Sequence, residues 1–264
     1  MNLRRCMRFL VGACVLAGFA LILTPDVSVA ADAVKQASPQ TVKAAERAAM
    51  ESVIRDYLLK NPEVIRDAMM ALEAREQQAR AAQASLALSA NADKLLRDPA
   101  SPVGGNPKGD VTVVEFFDYR CGYCRKVSPD MEALVASDPN VRVVYKEFPI
   151  LGPDSVLAAQ AALAAHKQGR YSEFHKALMV AEAINDVSLD KIATDLGMNL
   201  ERFRADRVDP QLSAVLEANH ALATALNISG TPAFVIGQQL IPGAAGVEGL
   251  KAAVNAARQA LARK

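Results

Sequence analysis

The chain has 264 residues, a formal net charge of +1, 51% hydrophobic residues and four cysteines. Near-neutral charge without a basic block gives no support to nucleic-acid binding. The length allows one substantial domain with a smaller module beside it.

At the N-terminus, Arg4, Arg5 and Arg8 precede an apolar run from Phe9 to Leu23, and Ser28-Val29-Ala30 sets small residues before Ala31. This is the layout of a secretory signal peptide, residues 1–30, cleaved near Ala30. The run is short for a membrane anchor, and too few apolar residues precede Val11-Gly12-Ala13-Cys14 for a lipidation box. Cleavage would remove three Arg and one Asp, taking the charge from +1 to −1, and would discard Cys6 and Cys14. The remaining pair, Cys121 and Cys124, lies three apart in an exported chain. Such a pair is no structural staple; it is kept for exchange.

Residues 31–98 read as helix almost throughout. Val42, Ala45, Ala49, Val53 and Tyr57 recur at helical spacing, widened by Met50, Ile54 and Leu58. Asn61-Pro62 breaks the pattern, with Asn61 the expected N-cap of a second helix. That helix carries Ile65, Ala68, Leu72, Ala79, Ala82 and Leu86 near a heptad seam. A hairpin with so little apolar bulk is marginal alone, so the stripe is expected to pack against further copies of the chain, the plainer reading being a solvated spacer or a helical arm folded on its own domain. The Pro-, Gly- and Ser-rich residues 99–110 read as a linker.

From residue 111 strand and helix alternate. Val111 to Phe117 reads as a buried strand, Cys121 to about Ala136 as a helix, and Val141 to Phe148 as a second strand. A helical stretch follows over about 155–226, with Ser188 expected to cap one helix, Gly197 to end it and Asp209-Pro210 to open another. Strands at 233–236 and 239–241, a turn at Pro242-Gly243 and a helix from about Val247 to Ala262 complete an α/β order.

Cys121-Gly122-Tyr123-Cys124 falls where the first strand hands over to a helix. Unpaired backbone N–H groups and the positive dipole end there favour a thiolate, and the i, i+3 spacing lets the two sulfurs close as an exchangeable disulfide. Gly230-Thr231-Pro232 stands at the mouth of a later strand, where Pro232 cannot donate to the sheet and a cis bond would leave the Thr231 backbone free to pair with an extended peptide.

Together the strand, Cys-Gly-Tyr-Cys, the helical insert and Gly-Thr-Pro-Ala-Phe-Val-Ile-Gly resemble the DsbA-like thiol–disulfide oxidoreductases of the thioredoxin superfamily. Pro232 lies 108 positions after Cys124, which leaves room for the insert. The N-terminal helices, with Tyr57-Leu-Leu-Lys-Asn-Pro-Glu-Val-Ile65, are similar to the appended module of the suppressor-of-copper-sensitivity C proteins. The resemblance implies an α/β thioredoxin-like sheet over residues 111–264, with an inserted helical subdomain, preceded by an all-helical oligomerisation module over 31–98. It implies periplasmic disulfide isomerase or reductase activity, with a DsbA-type oxidase as the other possibility within the family. Cys121 would be the exposed nucleophile and Cys124 the buried resolving thiol. Gly122 and Tyr123 would tune the nucleophile, and Thr231 and Pro232 would hold the substrate backbone. Glu115, six residues before Cys121, would relay the Cys124 proton; its plain role would be an ion pair with Lys146 on the next strand.

No cofactor is expected beyond the Cys121–Cys124 disulfide. Expected partners are disulfide-containing exported proteins, a membrane thiol reductase as electron donor, and further copies of the chain, a trimer ahead of a dimer. A reading of another class makes the cysteine pair a copper(I) site, although no third ligand stands near it. His166, His175 and His220 lie singly in the insert. Met69, Met70 and Met179 read as helix packing rather than copper ligands, and Asp118 and Arg120 as residues flanking the site.

Overall fold

A computed structural model describes residues 39–263; the expected signal peptide lies outside them. The chain divides into two compact units, up to Arg66 and from Asp67 onward. In the first, α1 (Pro39–Lys60) leads to α2 (Glu63–Ala90). Asn61 does not cap α2 with its side chain. Its amide turns back to the Tyr57 carbonyl at 2.8 Å, and α2 receives only the Asn61 backbone carbonyl, which accepts from the Val64 N–H at 3.1 Å. Met50, Val53, Ile54 and Tyr57 on α1 are each more than half exposed.

In the second unit, α2 runs unbroken to Ala90 and buries Leu88, and the short α3 (Ala92–Leu96) buries Leu95. Both leucines pack with Val114, Phe116 and Val144. Five strands form a mixed sheet, β1 (Val103–Gly105), β2 (Val111–Phe117), β3 (Val141–Glu147), β4 (Ala233–Ile236) and β5 (Gln239–Pro242), in the order β1-β3-β2-β4-β5. Strand β2 is central, parallel to β3 and antiparallel to β4. It is covered on both faces, which is why Val-Thr-Val-Val-Glu-Phe-Phe reads as an apolar run rather than an alternation.

The side chains divide with period two. Val111 and Val113 pack with Val127, Met131 and Leu134 of α4 (Gly122–Ser137) and Leu250 and Val254 of α10 (Val247–Ala262). Val114 and Phe116 take the opposite face. Glu115 shares the parity of Val113, so the central strand turns a carboxyl toward the α4 layer.

The short β1 lies within the stretch expected to be a linker. Gly105 has φ +64°, and a Cβ there would stand 2.5 Å from the Val141 carbonyl oxygen. Glycine at this place is what lets β1 lie against β3.

The insert is α5 (Pro153–Lys167), α6 (Tyr171–Val180), α7 (Asp186–Asp195), α8 (Leu200–Arg207) and α9 (Pro210–Ala225). Six alanines of α5 are buried, and small side chains let α6, α8 and α9 pack around it. Asp209 caps α9 as expected, accepting from the Gln211 N–H. Helix α7 differs: Asn185 is its N-cap, and Ser188 sits at the third helical position of a reciprocal capping box. Among the described residues no helix is long and apolar enough to cross a membrane.

Candidate active site

Strand β2 ends at Phe117, and four residues later Cys121 is the N-cap of α4. The turn between them is held by Asp118, which is buried rather than solvated. Its carboxylate accepts from the Arg120 N–H at 2.7 Å, the Ile150 and Leu151 N–H groups at 2.9 and 3.0 Å, and the Ser155 hydroxyl at 2.8 Å. One side chain thereby ties the loop after β2 to the loop after β3. Arg120 reaches outward to Asp154 at 2.9 Å.

Cys121 keeps 7% of its surface, so the expected nucleophile is more sheltered than an exposed residue would be, and Cys124 keeps none. Neither cysteine is in a disulfide in this structure. Burial, with the neighbouring Cys121 adding to it, holds the Cys124 thiol well above the ordinary cysteine range. Gly122 and Tyr123, between the two, face solvent; Tyr123 is 66% exposed.

The Thr231–Pro232 peptide bond is cis, and the Thr231 carbonyl oxygen lies 3.3 Å from Cys121 Sγ. Thr231 is half-buried and Pro232 buried, while the Pro232 carbonyl accepts from the Gly243 N–H. Two segments far apart in sequence thus meet at one sulfur. A cavity of about 400 Å³ between the loop before Cys121 and the end of α6 is bounded by Arg120, Arg125, Asp154 and Glu182.

Glu115 lies in register with Tyr145 on β3 and Phe234 on β4. It is 2% exposed, and burial alone raises its carboxyl to about 8. The ion pair with Lys146 does not form. Lys146 projects to the other face of the sheet and binds Asp98 Oδ2 and Ser101 Oγ, each at 2.7 Å. Burial lowers the Lys146 amine and Asp98 only partly restores it.

A buried polar cluster beside the site escaped the sequence reading. The Tyr119 and Tyr171 hydroxyls donate to Glu147 Oε1 at 3.1 and 2.7 Å, and Tyr119 shares a 2.9 Å hydrogen bond with His175 Nδ1. Burial lifts the Glu147 carboxyl well above its usual range and lowers His175 to about 3. Arg125 links the same region to the insert, donating to the carbonyls of Tyr119, Leu178 and Ala181. The aromatic run Phe117-Asp-Tyr119 before the cysteines was the signal that a packed cluster lay there. His166 and His220 make ring contacts with Tyr171 and Phe148. Among the described residues no group of three or more His, Cys, Asp or Glu side chains is arranged to hold a metal ion.

Residues 112–255 match the DSBA-like thioredoxin domain family, and residues 46–79 match the copper resistance protein ScsC N-terminal domain. A thioredoxin-like oxidoreductase from Silicibacter pomeroyi superposes with a TM-score of 0.61 at 47% identity, covering 63% of this chain and 97% of that one. ScsC of Proteus mirabilis in a transitional conformation gives a TM-score of 0.61 at 31% identity, covering 82% and 98%. The Na(+)/H(+) antiporter NhaA 3 of Salinispora tropica is 32% identical over 193 residues, which is 70% of this chain and 29% of that relative. The chain thus spans under a third of the length of the curated relatives it matches first.

Proposed function

The chain belongs to the DsbA-like thioredoxin family, and from that premise we propose that it exchanges thiols and disulfides on exported proteins through Cys121 and Cys124. The observation that carries this reading is the Cys121 sulfur at a helix start, 3.3 Å from the Thr231 carbonyl, with a fully buried partner thiol one turn along. Cys121 attacks a substrate cystine, its sulfur bonds to one substrate sulfur, and the other leaves with the electron pair and takes up a proton. Cys124 then attacks Cys121, closes the internal disulfide and releases the second substrate thiol. Thr231 and Pro232 hold the substrate backbone beside that sulfur, Gly122 and Tyr123 tune it, and Glu115 takes the Cys124 proton.

Within this chemistry we favour isomerase or reductase over oxidase. Support comes from Thr231 before the proline and from the ScsC-like N-terminal helices, whose exposed stripe suits association with further copies, a trimer first. Several sites around one assembly would bind a misfolded client at high effective concentration. An isomerase must be kept reduced, so a membrane thiol reductase is the partner required. The leader-like N-terminus supports a periplasmic location.

Insulin reduction and refolding of scrambled ribonuclease test the reading. Both are expected to proceed, and both to stop in Cys121→Ser. No activity in either assay, with tight one-to-one copper(I) binding, would replace exchange by metal carriage. The redox state of the pair in cells separates isomerase from oxidase.

A further inference from the structure

Strands β2 and β3 are parallel and β4 runs against them, so the end of β2, the end of β3 and the mouth of β4 lie at one end of the sheet. The order β3-β2-β4 then sets the Thr231–Pro232 turn to one side of the loop that leads to Cys121, and the start of α5 to the other. On that second side lies the cavity of about 400 Å³, lined by Tyr119 and Arg120 of the loop, Arg125 of α4, Asp154 of α5, and Glu182 and Ile184 after α6. Arg120 is the chain neighbour of Cys121, so a peptide bound at the sulfur reaches this space. The exchange reaction makes no use of it.

The charges around the cavity are unevenly satisfied. Arg120 Nη1 donates to Asp154 at 2.9 Å, and the two side chains, 46% and 49% exposed, neutralise each other at the surface. Glu182 is exposed at the rim. Arg125 is half-buried, and its guanidinium meets only backbone: Nε donates to the Tyr119 carbonyl at 3.0 Å, and Nη2 to the carbonyls of Leu178, at 3.1 Å, and Ala181. The last two carbonyls close α6, where the helix dipole offers about half a negative charge against a full positive one. Both N–H groups of Arg125 Nη1 are left without a protein acceptor among the described residues.

We propose that this cavity is a subsite for an acidic client side chain, whose carboxylate accepts from Arg125 Nη1 while the client backbone pairs with Thr231 across the sulfur. The inference rests on the function proposed above and gives the substrate class it selects: cystines in segments that carry Asp or Glu. Arg125 follows Cys121 by one turn, about 6 Å along α4, and an extended client advances about 3.3 Å per residue. A residue about two to four positions from the client cysteine therefore reaches the cavity. Glu182 favours a base there, but it is exposed and screened by solvent, whereas the half-buried guanidinium is screened less. Ile184, also half-buried, offers apolar surface to the stem of a glutamate.

The test uses short peptides, each with one cysteine held as its disulfide with 2-mercaptoethanol, mixed in single turnover with the reduced full chain. The protein's two thiols become the internal disulfide, and the peptide and mercaptoethanol leave as thiols, so no other reductant enters. Glu, Gln or Lys is placed in turn within about four residues on either side of the cysteine. At the matching position the Glu peptide is expected to react at least about tenfold faster than its Gln counterpart, an advantage that shrinks as salt is raised. Arg125→Gln should remove the advantage, and Asp154→Asn, which frees Arg120 to share the carboxylate, should enlarge it. If Arg125 were only a strut between α4 and α6, Arg125→Gln would slow Glu, Gln and Lys peptides alike, and the subsite would be rejected. Should Arg125→Gln fold poorly, Asp154→Asn and the salt dependence decide. Equal rates for Glu and Gln peptides at every position, or a preference for Lys, overturn the subsite and leave the exchange function standing. Failure of the parent chain to reduce any peptide removes that function instead.

Discussion

The Cys121 thiol donates to the Thr231 carbonyl oxygen across 3.3 Å, although the two residues lie 110 positions apart. Everything between them, from α4 through the insert to β4, serves to bring one helix start against one strand mouth. The Asp118 carboxylate fixes the first of these and the pairing of β2 with β4 fixes the second.

Cys124→Ser is expected to keep the first attack and lose the second. Incubated with a cystine-containing protein, it should accumulate a reductant-sensitive adduct visible on a non-reducing gel, and Cys121→Ser should give none. Equal adduct from both variants would reverse the roles given to the two sulfurs.

Stability should depend on pH through two buried groups acting in opposite directions. Folded Glu115 holds its proton to about 8, whereas the unfolded chain releases it at the ordinary 4.5. The native state binds more protons between these values, so this contribution is lost as pH rises from 4.5 toward 8, by up to about 1.4 kcal/mol per pH unit. Folded His175 stays neutral down to about 3 against 6.5 unfolded, so its contribution is lost as pH falls from 6.5. Urea titrations from pH 4 to 9 should show Glu115→Gln flattening the alkaline limb and His175→Gln the acid one. Parallel curves for parent and variants would refute both.

Asp118→Ala leaves the N–H groups of Arg120, Ile150 and Leu151 without their acceptor. At about 1–3 kcal/mol for each buried unmet donor, a loss of about 3 kcal/mol or more is expected by chemical denaturation, with exchange activity falling in parallel. Asp118→Asn, which keeps one acceptor oxygen, should lose less.

The buried Lys146–Asp98 pair should respond asymmetrically. Asp98→Ala strands an amine that is 1% exposed and should cost about 3 kcal/mol. Lys146→Met removes the charge and keeps the volume, and should be close to neutral. A double variant no worse than Lys146→Met alone would establish that the cost lies in the stranded charge; additive losses would argue against it.

Light scattering should give a multiple of the chain mass for the full protein and a single chain mass once residues 1–66 are removed. A monomeric full-length protein would end the proposal of self-association.

The sequence made the repetitive parts of this fold legible. Val111–Phe117 declared β2 because a strand covered on both faces reads as a nearly continuous apolar run, and Asp209-Pro210 declared the start of α9 because both capping chemistries sit in two residues. β1 was hidden, since Val103-Gly104-Gly105 reads as loosened chain until Val141 and Tyr145 are seen to need the missing side chains. Asp118 and His175 were hidden for a shared reason. A single polar residue has no periodicity, and only tertiary placement distinguishes a buried acceptor of four hydrogen bonds from a solvated carboxylate. The meeting of Cys121 with Thr231 was legible as two motifs but not as a distance.

The C-terminal turns of α2 carry Leu88 into the core and set the Ser85 and Ser89 hydroxyls 3.3 and 3.5 Å from the Gln238 amide oxygen. Gln238 is at the tip of the β4–β5 hairpin, and β4 begins directly after Pro232. Torque on these C-terminal turns would therefore load the strand that begins directly after the cis-proline beside Cys121. Mechanically, those turns and the Thr231–Pro232 turn share one beam.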